Sequence, residues 1–158
     1  MIRTKFVRSS LLVASSALLF AAVAEAAGPY QFYSVTPCRV VDTRDPANPA
    51  GTGGPALTGG AFRNMPVAGR CGVPTDAKAA ALNVTIASPT GPGHLTIFPY
   101  ATGMPTVSTL NWAAGEPAIA NGAIVPLSAD PSFSITVFGG LSGGQSTHVV
   151  IDVTGYFK

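Results

Sequence analysis

This 158-residue sequence predicts an all-β fold, an antiparallel β-sandwich of about nine strands. Three observations carry that expectation. Short runs of β-branched and aromatic residues alternate with clusters of Gly, Pro, Ser and Asn, at intervals close to those of sandwiches and barrels. Beyond the N-terminal leader no segment keeps a long helical apolar period, and without crossover helices a parallel sheet cannot be built. In His94-Leu95-Thr96-Ile97-Phe98-Pro99, Leu95 and Ile97 face one way and Thr96 the other, the alternation of a half-buried strand.

The chain opens with a leader. Met1 to Arg8 carries Arg3, Lys5 and Arg8 without an acid, and Ser9 to Ala24 holds only apolar residues and serines, as in a secretory signal peptide. That run is short of the ~20 residues a transmembrane helix needs. Ala24-Glu25-Ala26 has small residues where a signal peptidase reads, so residues 1–26 are expected to be removed and 27–158 to form a single domain. Strands are expected near Tyr30–Thr36, Arg39–Thr43, Arg63–Val67, Ala79–Ala87, His94–Tyr100, Val107–Trp112, Ala123–Leu127, Ser132–Phe138 and Thr147–Phe157. Turn formers separate them, among them Pro89-Thr90-Gly91-Pro92-Gly93 and the glycine-rich run 139–144. Ala77 to Ala81 is compatible with a helical turn, but the following Leu82-Asn83-Val84-Thr85-Ile86 favours a strand. The stretch from Asp45 to Gly60 is too rich in Gly, Pro and Ala for an element and is expected as an exposed loop.

Charge and cysteine content narrow the function. After the leader, Arg39, Arg44, Arg63, Arg70, Lys78 and Lys158 balance Asp42, Asp45, Asp76, Glu116, Asp130 and Asp152, a net charge of zero. Six scattered cations make no basic face to displace counterions from phosphates, so nucleic acid is not an expected partner. Both cysteines, Cys38 and Cys71, lie in the exported part, where an oxidising compartment lets a disulfide persist. Neither has the CxxC spacing or adjacent histidine of a thiolate site.

The candidate chemistry is sparse. Gly140-Leu141-Ser142-Gly143-Gly144 matches a GxSxG nucleophile elbow, which requires a following helix and then an acid and a histidine in that order. Here an apparent strand follows and His148 precedes Asp152, which favours a glycine-rich hairpin loop. His94 and His148 lack metal-ligand spacing, so no metal or cofactor is expected. Asp45 and Asn48 offer oxygen ligands of the kind calcium takes, without an EF-hand pattern. Asp42 and Arg44 lie two apart in an expected strand and share a face; Asn83, Asn111, Asn121 and Asp152 are flanked by apolar residues. Buried polar groups must be satisfied, so these six are expected to form a structural network tying strands and loops. Trp112 is expected in the core, while Tyr30, Tyr33, Tyr100 and Tyr156 are candidates for a carbohydrate-stacking platform. Asn83-Val84-Thr85 fits a glycosylation sequon but reads better as strand.

Several segments occur in an order that has a counterpart elsewhere: Pro37-Cys38-Arg39-Val40-Val41-Asp42-Thr43-Arg44, Cys71-Gly72-Val73-Pro74, Ala81-Leu82-Asn83-Val84-Thr85, Ser108-Thr109-Leu110-Asn111-Trp112, Ala120-Asn121, and Val149-Val150-Ile151-Asp152-Val153-Thr154-Gly155-Tyr156-Phe157. Together they resemble a poorly characterised bacterial extracellular β-domain that stands alone or is attached to exported hydrolases. The resemblance implies a surface or extracellular accessory role and carries over no catalytic residue. The expected function is therefore a non-catalytic secreted or cell-surface module that associates with itself or with the cell envelope, and the alternative is a carbohydrate-binding module. With a single acid along it, the last strand would be the pairing surface if it lies at a sheet edge.

Overall fold

A computed structural model describes residues 28–48, 51–130 and 132–158. The expected leader and its cleavage site lie outside these residues. Among the described residues there is no helix, and nine strands form two antiparallel sheets. They are β1 (Phe32–Asp42), β2 (Leu57–Thr58), β3 (Phe62–Met65), β4 (Ala79–Ala87), β5 (Gly93–Pro99), β6 (Leu110–Trp112), β7 (Ala118–Pro126), β8 (Ile135–Leu141) and β9 (Ser146–Phe157). The first sheet has the order β1-β9-β4-β7, with β2 added to the start of β9; the second has the order β3-β8-β5-β6.

One apolar cluster joins the two sheets. Val84, Ile86, Val149, Ile151 and Val153 enter it from the first sheet, and Met65, Leu95, Ile97, Ile135 and Val137 from the second. Each such side chain withdrawn from water contributes about 1.5–3 kcal/mol. In β4 the alternation is complete: Ala80, Leu82, Val84 and Ile86 are buried, while Ala79, Ala81, Asn83 and Thr85 sit half-buried on the opposite face. Trp112 is in the core as expected, and its indole N–H donates to Gly91 O at 2.8 Å. The expected Cys38–Cys71 disulfide is present, tying β1 to the loop after β3.

Five local expectations change. The first two expected strands are one, β1, and the register slip between Ser34 and Cys38 absorbs Pro37. Among the described residues β1 pairs only with β9 and so lies at an edge, where a missing N–H costs no ladder bond. The Asp45–Gly60 stretch is not a simple exposed loop: Thr52 and Gly53 are buried, and Leu57–Thr58 pairs with Thr147 and Ser146. Leu57 is driven into the core at 1% exposure, where Gly139 leaves room; a Cβ on that glycine would stand 3.0 Å from a Leu57 methyl. β7 begins at Ala118 because all nine of its residues find partners on β4, and this pairing overrides the poor strand preference of its alanines and glycine. β8 starts at Ile135, since Asp130 caps a turn by accepting the N–H groups of Ser132 and Phe133. The glycine-rich run 139–144 is not a hairpin loop: Gly139, Gly140 and Leu141 belong to β8, and the remainder crosses to β9 in the other sheet.

The sheet order also decides the edge question. β9 lies between β1 and β4, so the last strand is central and the condition for pairing through it is not met. At the far side of the same sheet, β7 pairs with β4 alone among the described residues.

Candidate functional site

Pairing of β1, β9 and β4 sets Arg39 opposite Asp152, and Asp152 opposite Asn83, in one row across the first sheet. Arg39 donates through Nε and Nη2 to the two oxygens of Asp152 at 2.9 and 3.3 Å, and through Nη1 to Asp42 Oδ2 at 3.2 Å. Asp42 stands where β1 ends. It also accepts from Arg44, by Nε at 2.9 Å, Nη2 at 2.7 Å and the backbone N–H at 3.1 Å. The forked geometry of guanidinium on carboxylate makes these charge-assisted bonds directional and strong. The Asp42 side chain is 10% exposed, while those of Arg39 and Arg44 are about half exposed at 48% and 49%.

Hydrogen bonding from Arg44 holds the Asp42 carboxyl down to about 2, with burial opposing the shift and the charges of Arg44 and Arg39 adding to it. The bond to Asp152 raises Arg39, and the bond to Asp42 raises Arg44. At neutral pH Asp42 is thus an ionised acceptor fully engaged with its neighbours, and it has no proton to donate.

Of the six residues expected to form one network, Asp42, Arg44 and Asp152 come together, and their hub is Arg39, which sequence reasoning did not single out. Asn83 lies opposite Asp152 in the ladder but contributes no side-chain hydrogen bond to it. Asn111 and Asn121 form a separate brace near β6: Asn111 donates to Ser108 Oγ at 2.7 Å and Asn121 to Thr109 O at 2.7 Å, and both are exposed rather than buried. The expected single network is therefore two. The asparagines fall outside the first because β6 belongs to the other sheet and β7 is separated from β9 by β4.

Next to the arginine hub is a recess of about 290 Å³ lined by Arg39, Val40, Asn48, Thr52, Arg70 and Cys71. A second, of about 250 Å³, opens beside His94, Met104, Val107, Ser108 and Asn111. Near it the rings of Phe62 and Phe138 lie 4.8 Å apart, and His94 is 6.0 Å from Phe138. A third feature is aromatic: Tyr33 stacks on Tyr156 at 5.2 Å, and Phe32 lies 5.2 Å from Phe157. Phe32 rests over Gly155, where any Cβ would collide with its ring. Of the expected platform tyrosines, Tyr30 and Tyr33 are exposed, whereas Tyr100 packs on Phe133.

Ser142 is exposed on the turn joining β8 to β9, and a strand follows it. His148 bonds through Nδ1 with Thr43 Oγ1 at 3.1 Å, and Asp152 is held by Arg39, so neither partners this serine. Asp45 turns its carboxylate to the Ala47 N–H at 2.8 Å, and no group of three His, Cys, Asp or Glu gathers among the described residues. No protein-family model matches the chain, and no curated protein or solved structure matches it either.

Proposed function

We propose that the chain is a non-catalytic β-sandwich module, exported and held at the cell surface or released, which works by associating with copies of itself or with the cell envelope. The observation that carries this reading is the free edge of β7. Leu127 N–H donates to Lys78 O and Ser88 N–H to Pro117 O, each at 2.8 Å, which fixes the alternation along the β4–β7 ladder. Odd-numbered residues of β7 bond to β4, and the N–H groups of Ala118, Ala120, Gly122 and Ile124 point away from it. Sheet proteins protect such edges with charge, proline or bulges. From Ala118 to Pro126 there is no charged residue, one proline at the end and an unbroken register, and Ile124 is 66% exposed. Zero net charge after the leader leaves little repulsion between copies.

The engaged state of Asp42 and Asp152 and the accessory role implied by the resemblance support the non-catalytic part of the reading. The exposed rings of Tyr33, stacked on Tyr156, and Phe62, against Phe138, favour a second reading, a carbohydrate-binding module for wall or environmental polysaccharide, since a flat ring at the surface stacks on sugar faces. Sedimentation of the mature protein over a range of concentration and salt, together with binding to washed envelopes and to isolated polysaccharide, separates the two. Concentration-dependent assembly or envelope binding is expected. A strict monomer that ignores envelopes refutes the leading reading, and polysaccharide binding by that monomer promotes the second.

A further inference from the structure

We propose that the recess beside the disulfide is a binding site for a single carboxylate group on a compact ligand, with Arg70 as the residue that receives it. The bridge itself builds the site. Each half-cystine has an arginine next to it, Arg39 after Cys38 and Arg70 before Cys71, and the bond holds the two Cα atoms of the cystine 5.6 Å apart. Gly69, Cys71 and Gly72 all have positive φ, at 78°, 51° and 78°, so the chain turns sharply around Arg70. Arg70 N–H donates to Val67 O, and Val73 N–H to Arg70 O, which closes that turn.

Two cations are thus brought to one recess, and they are not equivalent. Arg39 is neutralised by Asp42 and Asp152 and has committed three of its five N–H groups to them. Among the described residues Arg70 has no side-chain hydrogen bond or ion pair, and it is half-buried. The ion-paired set of Arg39, Arg44, Asp42 and Asp152 sums to zero, and Arg70, which lines the recess outside that set, adds one positive charge. Asp45 does not line the recess.

The local excess selects the ligand. One negative charge completes the balance, whereas a dianion such as phosphate would place surplus charge near Asp42, which already lies within bonding distance of Arg39. A carboxylate matches the guanidinium fork in two parallel bonds. Arg39 and Asn48, whose amide also donates to Asp42 O at 3.4 Å, line the same recess, with Val40 and Cys71 as apolar surface. A volume of about 290 Å³ is at the lower end of ligand pockets, which suits a group the size of one sugar ring or one amino acid. This site does not depend on the β7 edge, and either proposal stands if the other fails.

The test is a titration of the isotope-labelled mature protein, disulfide intact, at fixed ionic strength, following the Cys71 amide and the Arg70 side-chain Nε–H by nuclear magnetic resonance. The probes are acetate, glucuronate, glucose and inorganic phosphate. Acetate and glucuronate are expected to shift both signals, and glucose at equal concentration to leave them in place. R70Q is expected to weaken carboxylate binding roughly ten- to a hundredfold, and R70K to recover part of the loss. Because the Arg70 side chain has no hydrogen bond or ion pair among the described residues, R70Q should keep its remaining amide spectrum, which serves as the folding control. Glucuronate binding much tighter than acetate identifies an acidic saccharide as the source of the group; equal binding identifies a small acid or a peptide terminus. Absence of any shift, binding undiminished in R70Q, or phosphate binding tighter than either carboxylate overturns the proposal.

Discussion

Replacing Asp42 by asparagine should destabilise the fold by about 2 kcal/mol at neutral pH, and this loss should vanish in acid. The magnitude follows from the carboxyl being held at about 2 instead of its ordinary 3.8. Nearly two units at about 1.4 kcal/mol each give roughly 2.5 kcal/mol, and half-exposed arginine partners screened by water reduce that to about 2. The sign is that of a depressed acid: its stabilisation is fully present above the unfolded value near 4 and is lost as pH falls toward 2. Asparagine has no such titration, so the two proteins should converge. Urea unfolding of both at pH 7, 4 and 2, with the disulfide intact, measures the gap directly. A gap below about 0.5 kcal/mol at pH 7, or one that persists undiminished at pH 2, would refute the claim that the Arg39–Asp42–Arg44 cluster clamps β1.

Removing the disulfide should cost more. Cys71→Ser opens a bridge spanning 33 residues, for a loss of about 3–4 kcal/mol in the loop-entropy account, read by urea unfolding; thiol labelling of the unfolded, unreduced parent should find none free. Ser142→Ala should leave stability and any measured hydrolysis unchanged, because the serine is exposed on a turn; loss of an esterase or protease activity in that variant would overturn the non-catalytic reading. N-terminal sequencing of protein recovered from the medium or envelope should begin near Ala27, and a chain starting at Met1 would remove the export argument.

The strands that could be read from the sequence are those whose own residues decide them. The expected bounds of β4 match the observed ones because Leu82-Asn83-Val84-Thr85-Ile86 alternates apolar and polar residues, and β9 differs by one residue at its start. β7 is legible only from Ala123, because in Ala118–Gly122 only Ile119 favours a strand and pairing with β4 orders the rest. β2 was invisible: two residues inside a Gly- and Pro-rich stretch carry no periodicity, and a core pocket over Gly139 draws Leu57 in. The site divides the same way. Asp42 and Arg44 are two residues apart and legible as a pair, whereas Arg39 and Asp152 are separated by 113 positions and meet through sheet register. Whether β9 was an edge or a central strand depended on sheet order, which no local pattern carries.

The most direct test of association through β7 is amide hydrogen exchange of the mature protein at low and high concentration. The account predicts that Ala118, Ala120, Gly122 and Ile124 exchange quickly when dilute and become protected as concentration rises, while Ile119, Asn121, Ala123 and Val125, bonded to β4, are protected throughout. Exchange at the four outward amides that does not change with concentration, in a protein that sediments as a larger species, would place the contact elsewhere and contradict the account.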